Sequence, residues 1–443
     1  MRLRAKKKVV RVVVLKKDKV ELYRSNAMKK RVNNCIVATV LGGVFFTFYY
    51  IFARYGAGHH DFRAHAAFAN ELTRLASESL QSFLETTKNS HILAYPGWHI
   101  CYLVTASIIS GMSSIIGAVI SNQNIYALSV ACVNTVILLC TFFLVRKIFA
   151  RRIPLKNYWR RTILSVVLLF VGPLYIPGLF DSYYLGLKTG NIWHNPTYLI
   201  VRPMAVLIFF LYVDIFEDYR QGKRNTENKK LIFAGIFLCV SAVLKPSFFQ
   251  MFLPALFVYC LVELIQKKGR NFGFLIKIGL SVVPVTLIGI FQITILGGSS
   301  GGGSGIGVEF LKVWGVRTNY WYIALPLSLA FPIFIFIVKR KEILHRYTGR
   351  LGLASLLSGL LQYMFLYVTK APKAGDFGWG LALSIFLVFF ISMIELEKWR
   401  QKSGFTSKTI KYAYILLGLH FFLGIFYFYD IFKYLRYTLP LQF

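Results

Sequence analysis

Long apolar runs separated by short basic segments dominate the hydropathy pattern of this chain. The runs from Cys35 to Phe52 and from Phe274 to Leu296 approach or exceed the ~20 residues that cross ~30 Å of hydrocarbon as a helix. Transmembrane β-strands would need only about half that length. The pattern therefore predicts an all-α fold, a polytopic transmembrane helical bundle of about ten to twelve spans.

The composition indicates that lipid is the main solvent. Hydrophobic residues make up 56% of the 443 residues, and the mean hydropathy is +0.56, which is more apolar surface than one soluble core hides. All six cysteines fall inside apolar runs, which argues against a disulfide framework. The first apolar run is long, flanked by basic residues and without a small-residue cleavage site, so we interpret it as a retained helix. We expect a multi-pass protein of the cell membrane.

The net charge of +34 does not indicate nucleic acid binding, because the basic residues lie between the apolar runs. By the positive-inside rule these segments are cytoplasmic, together with the N-terminus, and they attract anionic membrane lipid. Met28 could also begin a protein, which would make residues 1–27 an upstream extension. The predicted cytoplasmic segments are residues 1–34, 146–161, 217–230, 266–270, 339–350 and 395–408.

The loops divide the chain into a basic arm, a membrane module and further transmembrane helices. These regions are 1–34, 35–270 with outer loops 57–95 and 181–202, and 271–443 with a glycine-rich outer loop at 297–307. One stretch breaks the alternation, because residues 96–145 resemble two spans where an odd number is required. Ser110, Gly111, Ser113 and Ser114 interrupt the first of the two. We therefore predict a re-entrant or broken helix there.

The first outer loop places one acid, three histidines and an arginine at the lipid boundary, from His59 to His65. If a helix begins near Asp61, then His65 lies one turn after Asp61. His60 directly precedes Asp61 in the sequence. An acid and a histidine at i and i+4 can share a proton, hold a divalent metal or orient a hydroxyl. Asp61 could equally cap an amphipathic helix, which would form either a collar over the bundle or a platform for lipid substrate.

The second outer loop is rich in side chains that recognise sugars or phosphates. Asp181, Lys188, His194, Asn195 and Arg202 are the candidates within it. The aromatic residues of this loop also suit an interfacial belt, but such a belt does not explain the histidine, the amide and the arginine. At the span boundary, Arg202 could bind phosphate with two parallel hydrogen bonds or could snorkel to the interface.

Further candidates lie in the later outer segments. Lys245 falls between two short apolar runs, and it is predicted either as a second phosphate ligand or as a snorkelling lysine. The glycine-rich run 297–307 lacks the ending of a nucleotide-binding loop. Followed by Glu309 and Arg317, it resembles a mobile lid whose polar groups close over a substrate, with a plain connector as the alternative.

The layout resembles the GT-C superfamily of polyprenyl-phosphate-dependent glycosyltransferases over roughly residues 35–265. The similarity consists of many spans, an acid directly after the first span, surface helices, and the sequence YPGWH from Tyr95 to His99. The resemblance implies that Asp61 is the base or the substrate-orienting residue and that Asp181 assists. Family members often carry a D-x-D or E-x-D pair, whereas this chain has Asp61 alone.

Two functional hypotheses follow from different classes. As an enzyme, the protein would move a sugar from a polyprenyl-phosphate donor to a glycan or lipid acceptor on the outer face, with Asp61 accepting the hydroxyl proton and Arg202 and Lys245 stabilising the leaving phosphate. A polysaccharide polymerase is a variant of this hypothesis. As a transporter or flippase, it would bind an anionic or lipid-linked substrate at the same cations. The spans are nearly free of charge, and the sequence shows no clear internal repeat, which favours the enzyme.

Overall fold

The structure is a computed structural model that describes residues 2–56, 61–79, 81, 96–153, 157–187, 191–193, 195–298, 305–369, 371, 373 and 375–435. The helices within this part of the chain are α1 (Arg2–Tyr55), α2 (Asp61–Glu78), α3 (Gly97–Ile115), α4 (Asn122–Arg152), α5 (Tyr158–Phe170), α6 (Pro196–Arg220), α7 (Arg224–Leu244), α8 (Ser247–Gln266), α9 (Phe272–Gly298), α10 (Trp321–Val338), α11 (Arg340–Leu344), α12 (Tyr347–Phe365), α13 (Gly378–Ser403) and α14 (Lys408–Tyr434). Two short strands, β1 (Ile306–Val308) and β2 (Leu366–Val368), pair antiparallel.

The all-α polytopic bundle predicted from the hydropathy pattern is confirmed, whereas its number of spans stays a prediction. Among the described residues, nine helices are long and apolar enough to cross a membrane, against the ten to twelve predicted. Helix α5 is not counted among these nine helices because it has only 13 residues. Helix α7 begins in a charged segment, and α12 includes polar residues such as Arg350 and Gln362, so neither is a continuous apolar span.

Helices α6 and α13 form the centre of the bundle. The apolar stretch of α13 is buried along its whole length and that of α6 along most of it, because both helices are apolar on every face. Small residues let the neighbouring helices approach closely. A Cβ atom at Gly359 of α12 would lie 2.9 Å from the Cα atom of Leu381, and one at Gly380 would lie 2.8 Å from the Cβ of Met251.

One end of the bundle gathers the basic segments, and we call it the basic end. Hydrogen bonds and ion pairs join these segments to one another, as the positive-inside pattern predicts for loops on one side of a membrane. The contacts are Arg146 with Asn34, Arg152 with Glu217, Arg160 with Glu397, Arg346 with Glu395, and Arg350 with Gln266. The opposite end carries Asp61, and we call it the Asp61 end.

Helices α3 and α4 form a hairpin that accounts for the break in the predicted alternation. Gly97, at the start of α3, packs against Leu244 at the end of α7, which belongs to the Asp61 end. Asn124, at the start of α4, accepts a hydrogen bond of 2.7 Å from Arg54 at the end of α1, which is the same end. The starts of α3 and α4 therefore both lie at the Asp61 end, and α3 is one continuous helix through the predicted interruption at residues 110–114.

Part of the glycine-rich run differs from the predicted hinge. Ile306 and Gly307 belong to strand β1, and Gly307 pairs with Tyr367 of strand β2. A Cβ atom at Gly307 would lie 2.2 Å from the ring of Tyr367, so a larger residue there would displace this ring. Residues 299–304 of the run lie outside the described residues.

Candidate active site

Helix α2 is described from Asp61 to Glu78, so Asp61 lies in its first described turn. As an acid in the first turn, Asp61 is stabilised by the positive end of the helix dipole. The adjacent side chain of Phe62 is completely buried and stacks on Tyr49 of α1 at a centroid distance of 5.1 Å, which anchors the start of α2 on the bundle. His65 follows one turn later, and its ring meets that of Trp98 edge-on at 4.3 Å.

Asn195 connects Asp61 to the central helix α6. Its side-chain nitrogen Nδ2 donates to Oδ2 of Asp61 at 2.6 Å. Its Oδ1 accepts from the backbone N–H of Tyr198 at 2.9 Å, which caps the N-terminus of α6, and from the hydroxyl of Thr197 at 2.7 Å. The two acceptor bonds fix the orientation of the amide, so that Nδ2 necessarily faces Asp61.

Lys245 completes this arrangement from the turn between α7 and α8. Its Nζ donates to Oγ1 of Thr197 at 2.6 Å, while the Thr197 hydroxyl donates onward to Asn195. Asp61, Asn195, Thr197 and Lys245 therefore form a continuous hydrogen-bonded series, which we call the Asp61–Lys245 chain. An acid and a base stand at its two ends, and each intervening group uses a donor on one side and an acceptor on the other.

The surroundings of Lys245 are apolar on one side and acidic on the other. Its Nζ lies 5.0 Å from the ring centroid of Trp379, at the start of α13. Burial lowers the pKa of Lys245 to about 8, and the negative charges of Asp376 and Asp61 oppose this shift. The side chain therefore changes charge close to physiological pH.

Arg202 lies beneath this group and is completely buried, which differs from its predicted place at a span boundary. Its guanidinium lies between the rings of Tyr198 and Phe386, at 4.6 and 4.9 Å from their centroids, and Nη2 donates to the backbone carbonyl of Asn191. Its Nε and Nη1 have no hydrogen-bond partner among the described residues. In this arrangement Arg202 holds the segment before Asn195 and contributes a positive charge under the site.

Asp181 is placed in a different group of residues. It is exposed, and its charge acts on Tyr175, whose pKa is raised mainly by burial and further by Asp181 and Asp430. Tyr183 stacks on Tyr427 at 4.9 Å beside them. The described contacts of Asp181 thus link it to the end of α14 that carries Asp430 and not to the Asp61–Lys245 chain.

Glu309 and Arg317, the two later candidates, also make their described contacts outside the Asp61–Lys245 chain. Glu309 is exposed and pairs with Lys312 at 3.0 Å on its own turn. Arg317 reaches across to the segment after β2, where Nη2 donates to the carbonyl of Lys373 at 2.7 Å. Asp376, which acts on Lys245, follows three residues later, so Arg317 stabilises the segment that carries Asp376.

Three predicted site residues, His60, Lys188 and His194, lie outside the described residues. Within the described part of the chain, no group of three or more His, Cys, Asp or Glu side chains is arranged to hold a metal ion. No protein-family model matches the sequence, and no curated protein or solved structure is significantly similar to it.

Thr197, Trp379 and Asp376 belong to the site but were not among the residues predicted from the sequence. The signal for Thr197 is the sequence Asn195-Pro196-Thr197, because asparagine before a proline marks the start of a helix and places Thr197 in its first turn. The proximity of Trp379 and Asp376 to Lys245 has no local signal, since it depends on how α13 packs against α7 and α8.

Proposed function

We propose that this protein is a membrane glycosyltransferase that moves a sugar from a polyprenyl-phosphate donor to a glycan or lipid acceptor at the Asp61 end. The observation that carries the proposal is the Asp61–Lys245 chain, which links a carboxylate to a cation through two polar side chains. Transfer from a phosphate donor needs a proton acceptor for the incoming hydroxyl and a positive charge for the departing phosphate. In the Asp61–Lys245 chain, Asp61 is the proton acceptor and Lys245 carries the positive charge.

In the proposed reaction the acceptor hydroxyl attacks the anomeric carbon of the donor sugar. Its oxygen forms the new glycosidic bond, and its proton passes to the carboxylate of Asp61. The bond between the anomeric carbon and the phosphate oxygen breaks, and its electron pair leaves with the polyprenyl phosphate. The bond from Asn195 Nδ2 to Oδ2 holds the Asp61 carboxylate at the N-terminus of α2.

Lys245 is the proposed ligand of the phosphate. Its ammonium carries three N–H donors, one of which goes to Thr197, and negative charge grows on the phosphate as the bond to the sugar breaks. The neighbouring ring of Trp379 lowers the local polarity, which strengthens the attraction between the two charges. Arg202 adds its positive charge from below without direct contact in this arrangement.

The resemblance to the GT-C superfamily supports the proposal through the position of Asp61 directly after the first span. The role of Asp181 as an assisting acid is not part of the proposal, because its described contacts lie with Tyr175. The basic end, by the positive-inside rule, faces the cytoplasm, which would place the reaction on the outer face.

The test is a transfer assay on membranes that contain the protein, supplied with labelled polyprenyl-phosphate sugars and extracts of acceptor glycans and lipids. Asp61→Asn should reduce product formation by about 10²- to 10⁴-fold, the usual contribution of a general base. Glu71→Gln is the control, because Glu71 is an exposed acid on the same helix that pairs with Arg74 at 2.6 Å. Unchanged transfer by Asp61→Asn would contradict the proposal, and labelled substrate that enters sealed vesicles without forming a glycosidic bond would favour a transporter.

A further inference from the structure

A large apolar groove runs along the outside of the bundle between α7 and α9. Its volume is about 810 Å³, and its walls include Ile232, Ile236 and Val240 of α7 and Leu280 and Pro284 of α9. Ile232 and Leu280 are 64% and 66% exposed, so the groove opens to the surroundings of the protein. The groove therefore belongs to the face that meets lipid.

The floor and the length of the groove follow from the packing of the two helices. A Cβ atom at Gly235 would lie 2.8 Å from the backbone oxygen of Ser281, so the helices touch there. The lining residues of α7 extend from Asn228 to Val240, which corresponds to about 18 Å at 1.5 Å per residue. This length is close to the ~15 Å depth of one leaflet.

An apolar groove in contact with hydrocarbon is filled by a lipid chain. Water does not compensate for the lost contacts of an apolar wall inside the bilayer, and an empty groove would give up dispersion energy along its whole length. Lipids with the same acyl chains differ in their headgroups. A preference for one of them therefore depends on the polar residues at the ends of the groove.

Lys277 lines the groove at its basic end. Its Nζ donates to Oδ1 of Asn228 at 3.0 Å and lies 3.7 Å from Glu227, which is completely buried behind it. The side chain is 40% exposed, and an ammonium has three donors, so one N–H remains for a ligand in the groove. The amide nitrogen of Asn228, which also lines the groove, is a second donor at the same place.

The other side of α9 provides an internal comparison. A second groove of about 590 Å³ lies between α8 and α9, and its walls are apolar apart from Cys260 and Thr286. The two grooves thus share one helix and the same lipid surroundings. The groove between α7 and α9 has a cation at its basic end, whereas no charged side chain lines the other among the described residues.

We propose that the groove between α7 and α9 is a binding site for an anionic phospholipid of the leaflet at the basic end. One acyl chain occupies the apolar groove, and the headgroup phosphate accepts hydrogen bonds from Lys277 and Asn228. The exposed basic residues Lys229 and Lys267 of the neighbouring loops add to the positive potential at this level. This site is separate from the Asp61–Lys245 chain and does not depend on the proposed enzyme activity.

The experiment counts lipids bound to the delipidated, full-length protein in detergent by native mass spectrometry, with phosphatidylglycerol and phosphatidylcholine of identical chains. The wild type should bind its first phosphatidylglycerol roughly fivefold more tightly, since a base at an anionic surface contributes ~1 kcal/mol. Removing Lys277 alone would leave Glu227 buried without a counter-charge and could unfold the protein. The decisive variant is therefore Glu227→Gln with Lys277→Met, and Glu227→Gln alone is its reference.

The expected result is that Glu227→Gln keeps the preference for phosphatidylglycerol, whereas the double variant loses it and binds phosphatidylcholine as before. Lys267→Met removes the same charge from the same end of the bundle outside the groove, and it should keep the preference. Gly279→Leu, which narrows the groove between α8 and α9, should also keep it. Equal losses in Lys267→Met and the double variant would indicate a general surface potential and overturn the proposal, as would a wild type without any preference.

Discussion

The side-chain amide of Asn195 caps helix α6 through its oxygen and donates to Asp61 through its nitrogen at 2.6 Å. One residue thereby joins the start of α2 to the central helix α6. Because the cap fixes the amide, the position of the Asp61 carboxylate is set by helix α6 as well as by its own helix. This dual role can be divided experimentally, since a serine also caps helices but is too short to reach Asp61.

Asn195→Ser should therefore slow sugar transfer without unfolding the protein. Serine retains the N-cap bond to Tyr198, so thermal stability in detergent should remain close to that of the wild type. The lost hydrogen bond to a carboxylate is worth about 1.5–3 kcal/mol, which corresponds to roughly a ten- to hundredfold lower rate. A rate equal to that of the wild type would show that Asn195 only caps the helix.

The pH dependence of donor use should reflect the charge of Lys245. With a pKa of about 8, its side chain is positively charged at lower pH and becomes neutral as the pH rises through this value. A sugar phosphodiester keeps its single negative charge over this range, so kcat/KM for the donor should fall above about pH 8. Lys245→Arg keeps its charge throughout and should remove the fall, while a wild-type profile that stays flat to pH 10 would contradict this role.

Asp376→Asn should shift that profile to lower pH. The carboxylate of Asp376 raises the pKa of Lys245 against the effect of burial, so its removal lowers this pKa further below the ordinary value. The fall in kcat/KM should then begin below pH 8. Glu309→Gln is the matched control, because Glu309 is an exposed acid paired with Lys312, and its profile should coincide with that of the wild type.

Close packing between α12 and α13 should make Gly359 sensitive to substitution. A Cβ atom there would lie 2.9 Å from the Cα of Leu381, so Gly359→Leu forces the helices apart at a cost of about 1–3 kcal/mol. Gly43 of α1 has no neighbouring atom within 4 Å of such a Cβ, and Gly43→Leu is the control. The thermal unfolding midpoint in detergent should fall for the first variant alone; equal midpoints would show that this contact is not tight.

The sequence predicts the bundle well because hydrocarbon imposes its pattern on every span. Apolar runs and basic clusters are local signals, so the helices and the shared basic end could be inferred directly. Helix α5 continues for only 13 residues before the chain becomes irregular, so it is not among the nine long apolar helices of the described residues. Nothing in the local pattern shows that the described residues 171–187 and 191–193 follow α5 without forming a helix.

Asp61, Asn195 and Lys245 are candidates that the sequence offers, whereas Thr197 between them is not. Asp61 and Lys245 stand out because charged residues are scarce beside apolar runs. Thr197 connects Lys245 to Asn195 through ordinary polar atoms that no composition argument selects. Arg202 shows the opposite problem, because its charge suggested an exposed ligand whereas packing buries it between Tyr198 and Phe386. Such placements depend on distant helices and become visible only in three dimensions.

The central claim is that Asp61 and Lys245 act as one unit through the side chains between them. A double-mutant cycle of sugar transfer with Asp61→Asn, Lys245→Met and the combined variant measures this most directly. Residues that act as a unit have strongly non-additive effects, so the combined variant should be at least tenfold more active than the product of the two separate losses predicts. If the combined variant instead shows the product of the two separate losses, Asp61 and Lys245 act independently, and the central claim is contradicted.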